Sequence, residues 1–93
     1  MLDKLIQTGE TLESEASEGM GGKFFDSINF EQWASKSVLY LENYHSKSIV
    51  TEKAKEGFKK LNSNINYDYY QFLLGALKAT KEFEDEKLDE MLS

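Results

Sequence analysis

The chain has no cysteine, no proline and no arginine, and each absence removes a class of protein. Without cysteine there are no disulfide staples and no thiolate metal sites. Without proline, the residue that most often breaks a helix is missing, which suits long uninterrupted helices. The lack of arginine weighs against nucleic-acid and phosphoryl-transfer roles, because the guanidinium fork is the preferred grip on phosphate, carboxylate and base edges. All 11 basic residues are lysine and they face 17 acids, so the net charge of −6 offers no basic footprint for a duplex. No apolar run reaches the roughly 20 residues of a membrane span, and the N-terminus has no apolar signal-peptide core. A cytoplasmic protein is the expectation.

What is present points to one small domain. Ninety-three residues with 40% hydrophobic and 13% aromatic side chains can bury a packed core and are too apolar for a disordered chain. The charge is uneven. Residues 1–22 and 67–93 are acidic, 23–47 are balanced, and 48–66 are mildly basic. Solvated helix faces account for this pattern; the sharper reading is an acidic surface that docks a basic partner.

One phrase occurs twice. Ile28-Asn29-Phe30-Glu31-Gln32-Trp33 and Ile65-Asn66-Tyr67-Asp68-Tyr69-Tyr70 share the order Ile, Asn, aromatic, acid, any residue, aromatic. Each reads as a helix start. Asn is a favoured N-cap, the acid suits the positive end of the helix dipole, and Ile28 with Trp33, like Ile65 with Tyr70, forms a hydrophobic staple. The expected fold is therefore all-α, a four-helix bundle-like single domain over 1–93, with helices near 1–17, 30–44, 48–62 and 67–91.

In the first helix Leu2, Leu5, Ile6, Gly9, Leu12 and Ala16 keep the three-four spacing of a core-facing stripe. Residues 18–27 read as a loop, with Gly19 as a left-handed helix cap and Met20, Phe24 and Phe25 folded beneath it as a lid on the core, the alternative being that they stand out as a partner contact. The run Gly19-Met20-Gly21-Gly22-Lys23 faintly resembles a phosphate loop. It fails because no Ser or Thr follows the lysine and a helix, not a strand, precedes it. The second helix turns Phe30, Trp33, Ala34, Ser37, Val38, Leu41 and Tyr44 inward and leaves Leu39 outside. His45 closes it as a dipole partner, with no orienting acid, nucleophile or further ligands evident for catalysis or metal binding. The third helix sets Val50, Ala54, Gly57, Phe58 and Leu61 against a face of Lys53, Lys55, Lys59 and Lys60.

The fourth helix is unusual. Tyr69, Tyr70, Phe72, Leu73, Leu74, Ala76, Leu77, Ala79 and Phe83 fill an arc of about 220° at about 100° per residue. Either this helix is central and packed on more than one side, or it carries a second face for a partner. Gly75 lies on its polar stripe, where only close approach of another backbone would require it. Leu39, Tyr69, Phe72, Gly75, Ala76 and Phe83 are accordingly the candidate partner-binding residues. After Phe83 the acidic run lacks the order of a calcium loop and the Glu-x-x-His pair of a di-iron bundle, so neither metal nor cofactor is expected.

Leu5-Ile6-x-x-Gly9-Glu10-x-Leu12, Phe30-x-x-Trp33 leading to Leu41, and Tyr69-x-x-x-Leu73-Leu74-x-Ala76-Leu77-Lys78 together resemble small helical N-terminal domains of uncharacterised bacterial proteins, some associated with phage defence. The resemblance implies a non-enzymatic module preceding an effector or sensor domain. A helical ribonuclease of the HEPN type needs an arginine shortly before a histidine, and this chain has no arginine. The expected function is a protein-protein interaction or oligomerisation module. The alternative is a small acidic inhibitor, such as an immunity protein, antitoxin or phage-encoded blocker, that docks a basic partner. An enzyme or ligand-binding bundle would need a pocket built from the tyrosines, Trp33 and His45.

Overall fold

A computed structural model of the chain describes residues 1–92. Helix α1 spans Leu2–Leu12 and continues through a 3-10 turn, Glu13–Glu15. Strand β1, Ser17–Gly19, then pairs antiparallel with β2, Gly22–Phe24, in the register Ser17 to Phe24 and Gly19 to Gly22. Helices α2 (Ile28–Tyr44), α3 (Ile49–Lys59) and α4 (Asn66–Leu92) follow. The all-α, four-helix expectation holds, and the helices near 30–44, 48–62 and 67–91 fall close to those places. Among the described residues no helix is long and apolar enough to cross a membrane.

The first helix is shorter than expected, and the loop at 18–27 contains a hairpin. Gly19 lies in β1 and caps nothing, while Gly22 takes a φ of 110°, open to glycine because it has no Cβ, and closes the hairpin. The expected lid is reduced to one ring. Phe25 is buried, Phe24 is half-buried, and Met20 stands fully in solvent at the hairpin tip.

Contacts at both ends fix the helix directions. Lys81 meets Asp3 at 2.9 Å, whereas the Tyr67 hydroxyl donates to Glu13 at 2.6 Å, so α1 and α4 are antiparallel. Lys53 lies over the Phe72 ring and a Cβ at Gly57 would meet the Tyr69 ring, so α3 and α4 are antiparallel too. α4 touches α1, α2, α3 and β2. Its wide apolar arc is thus answered by packing on several sides: Tyr69, Tyr70, Leu73, Ala76 and Leu77 are all buried.

The centre of the core is aromatic. Phe25 stacks on Phe30 with ring centres 4.7 Å apart, and Trp33 tilts against Tyr70 at 5.4 Å. Both polar tips of that second pair reach one helix. The Trp33 indole N–H donates to the Leu5 carbonyl at 2.7 Å, and the Tyr70 hydroxyl donates to the Gly9 carbonyl at 2.6 Å. Each carbonyl has a second lone pair to offer, so the buried donors are satisfied without unwinding α1. Such close approach requires Gly9: a Cβ there would lie 2.8 Å from Trp33 Cζ2 and 2.9 Å from Leu74 Cδ1. Ser37 Oγ, also in the core, is buried with no hydrogen-bond partner among the described residues.

The two Asn-led phrases do start two helices, but neither Asn caps. Ser27 caps α2, its hydroxyl accepting from the Phe30 N–H at 3.2 Å, and Asn29 instead lies near Glu15 at 3.4 Å. Asn66 is the first residue of α4 and is buried. Its amide accepts from the Phe25 N–H at 2.9 Å and donates to the Phe25 carbonyl at 2.7 Å, mimicking a strand partner. Nor does the Ile28–Trp33 staple form as expected, because Ile28 is 77% exposed.

Two pairs of substitutions test this packing by urea denaturation. Gly9→Ala is expected to destabilise by about 1–3 kcal/mol through overpacking. Gly75→Ala, at an exposed mid-helix site with no heavy atom within 4 Å of the new Cβ, is expected to stabilise by about 0.5–1 kcal/mol. Asn66→Ala should cost about 2–3 kcal/mol by stranding the buried Phe25 amide and carbonyl, while Asn29→Ala changes stability by under about 0.5 kcal/mol.

Candidate functional site

Two features outside the core have the geometry of a site. The first is a groove of about 850 Å³ along the outer seam of α1 and α2. It runs over the buried Leu5, Leu12 and Trp33, and the short polar side chains Thr8 and Thr11 of α1 line it. Tyr40 extends that apolar floor along α2. Lys4 stands on the α1 wall and Lys36 on the α2 wall; neither has an ion-pair partner among the described residues. At one end Met1, Leu39 and Tyr44 expose most of their surface, at 80, 67 and 61%. At the other, Glu15 and Asn29 approach one another. The groove is therefore apolar below, basic at mid-length and weakly acidic at its far end.

The second feature is a titratable cluster at the end of the bundle. Glu84 Oε2 accepts from the Tyr40 hydroxyl at 2.7 Å and lies 2.7 Å from His45 Nε2. Burial alone would raise the Glu84 carboxyl; hydrogen bonds from Tyr40 and His45, helped by the charges of His45 and Lys81, outweigh it and hold the group below its ordinary value. Tyr40 is shifted strongly upward, by burial first and then by its bond to Glu84. The imidazole also stands edge-on to Phe83, with ring centres 6.4 Å apart. Both donors share one carboxylate oxygen, so the cluster joins the C-terminal end of α2 to α4. Sequence reading assigned His45 a dipole role and no acid partner; its acid comes from 39 residues away.

Tyr67 and Tyr69 likewise tie helices together. Tyr69 donates to the Ala54 carbonyl at 2.6 Å, and burial raises its phenol. The Tyr67 phenol is pushed up to about 12, chiefly by its hydrogen bond to Glu13. Among the described residues no group of three or more His, Cys, Asp or Glu side chains is placed to hold a metal ion.

The six candidate partner-binding residues separate into two groups. Leu39 is exposed and lines the groove. Phe83 is 54% exposed beside His45, and Gly75 is open to solvent. Phe72 is half-buried beneath Lys53, whose ammonium lies 4.9 Å from the ring centre. Tyr69 and Ala76 are buried against neighbouring helices and present no surface to a partner. Sequence reading missed the groove as a unit. Its trace lies in Lys4, Thr8 and Thr11, which flank the apolar stripe of α1 on one side.

Comparison with protein-family models, with curated proteins and with solved structures finds no match.

The cluster makes one pH prediction. Because Glu84 is held below its ordinary value of 4.5, its stabilisation is fully present above that pH and is lost as pH falls through the lowered native value. Glu84→Gln should therefore flatten the acid side of a plot of urea midpoint against pH, with little effect on its slope near neutrality.

Proposed function

We propose that the chain is a non-enzymatic helical interaction or oligomerisation module of a cytoplasmic bacterial protein, working through the groove between α1 and α2. The groove itself carries this reading. An amphipathic helix meets such a surface by laying residues at three-four spacing along the floor, which the exposed Met1, Leu39 and Tyr44 extend outward. Lys4 and Lys36 on opposite walls favour acidic flanks on the incoming helix and set its orientation. The reading also suits the resemblance to helical N-terminal domains associated with phage defence, in which such a bundle abuts a second domain. Support against an enzymatic role comes from the Tyr40–His45–Glu84 cluster, whose polar groups are engaged with one another in joining α2 to α4.

A second reading, the small acidic inhibitor, is favoured by the exposed acids Asp85, Glu86 and Asp89 at the end of α4. The two readings place the contact on different surfaces and opposite charges.

The intrinsic fluorescence of Trp33, the single tryptophan, reports on the groove floor. An amphipathic helical peptide with acidic flanks is expected to bind saturably. Leu39→Asp combined with Lys36→Glu should weaken it at least about tenfold, with an unchanged melting temperature. No binding by acidic or basic helices would sink the groove reading. Binding of a basic peptide that Asp89→Lys abolishes and Lys36→Glu spares would favour the inhibitor instead.

A further inference from the structure

α4 is longer than the bundle it belongs to. Its packing against the other helices ends near Lys81 and Glu84, which meet Asp3, Tyr40 and His45. The helix continues to Leu92, a further eight residues or about 12 Å. Over that length the core stripe does not stop. At about 100° per residue, Leu88 and Met91 fall on the same side as Leu73, Leu77 and Glu84, with Leu92 at its edge. Leu73 and Leu77 are fully buried, whereas Leu88, Met91 and Leu92 are 54, 79 and 78% exposed. The same periodic pattern that builds the core thus runs past the last helix able to cover it. Asp85, Glu86 and Asp89 lie on its other faces.

Resting on the reading of the groove as a docking surface, we infer that its occupant is the end of α4 from a second copy of this chain. The chemistry matches at each level. Leu88, Met91 and Leu92 form a short apolar ridge at helical spacing, suited to the floor over Leu5 and Tyr40. Asp85 and Asp89 flank the ridge on its Leu92 side, while Lys87 on the other side lies over the Phe83 ring at 5.9 Å, and the groove walls carry Lys4 and Lys36 without ion-pair partners among the described residues. The α1 wall runs from Met1 to Glu15, about 21 Å of helix, so the projecting segment of about 12 Å fits within it. The open, apolar end of the groove, at Met1 and Tyr44, adjoins the point where α4 leaves the bundle, because Asp3 contacts Lys81 and Tyr40 contacts Glu84. Ridge and groove mouth at the same end allow a two-fold axis to exchange them reciprocally, each copy covering the other. That arrangement closes as a dimer and does not propagate into a fibre.

Sedimentation equilibrium on the full chain tests this. The chain is expected to dimerise reversibly, more weakly as salt rises. Leu88→Asp with Met91→Asp, both at exposed positions, should weaken the dimer at least about tenfold with an unchanged melting temperature. Lys4→Glu with Lys36→Glu should do the same. Adding Asp89→Lys, the exposed acid beside Leu92 on the ridge's flank, to the lysine variant should restore part of the association, a rescue that a general loss of folding cannot produce. A chain that stays monomeric up to its solubility limit overturns the inference, as does a dimer indifferent to both sets of substitutions. If that monomer still binds an acidic amphipathic helix through Lys36 and Leu39, the docking reading survives its failure; if it binds none, both fall.

Discussion

The structure depends on a missing methyl group. At Gly9 the backbone of α1 is bare, and the Trp33 indole, the Leu74 side chain and the Tyr70 hydroxyl converge on it. Any other residue would hold these groups off by the width of a Cβ. With glycine there, two large aromatic side chains bury their rings and still find acceptors for their polar hydrogens, on carbonyls one turn apart in the same helix. Burying either donor without a partner would cost about 1–3 kcal/mol. The arrangement satisfies both and at the same time sets the position of α1 against α2 and α4.

The groove is a consequence of the same approach. Trp33 lies low against α1 and is 2% exposed, and the seam above it is bordered by threonines and lysines that leave a shallow groove over the covered ring. Two further ties hold the frame around it. Asn66 clamps Phe25 through both backbone groups and so fixes the hairpin to the start of α4. At the opposite end Glu84 gathers Tyr40 and His45, holding the C-terminal end of α2 against α4. With both ends fixed, the seam between α1 and α2 is a surface framed by rigid elements, the kind of platform on which a docking helix loses little to reorganisation of its receptor.

Much of this frame was legible in the residues. The apolar spacing of α1 and the aromatic positions of α2 and α4 located the helices and placed Trp33 inside. The roles of the two asparagines were not legible, because they are decided by partners. Ser27 and Asn29 are both good caps, and the chain uses the serine. Asn66 is drawn into the core by a backbone segment 41 residues earlier, which no local rule reports. The hairpin escaped notice because its strands are three residues each, too short for an alternating pattern. The breadth of α4 was visible, but whether it met other helices or a foreign partner was a question of topology: for Tyr69 and Ala76 the answer is other helices. The groove was hidden because each helix contributes both polar and apolar residues to it, and it becomes a unit only when α1 and α2 are side by side.

The proposed docking surface is the groove between α1 and α2, and its proposed occupant is the exposed ridge of α4. Amide and side-chain NMR shifts followed on dilution test that placement most directly. Shifts are expected to cluster on Lys4, Lys36, Leu39 and the Trp33 indole N–H, and on Leu88, Met91 and Leu92, with the core positions Leu73 and Leu77 unmoved. Shifts concentrated instead on the lysine face of α3, around Lys53, Lys55 and Lys59, or a spectrum indifferent to concentration, would contradict it.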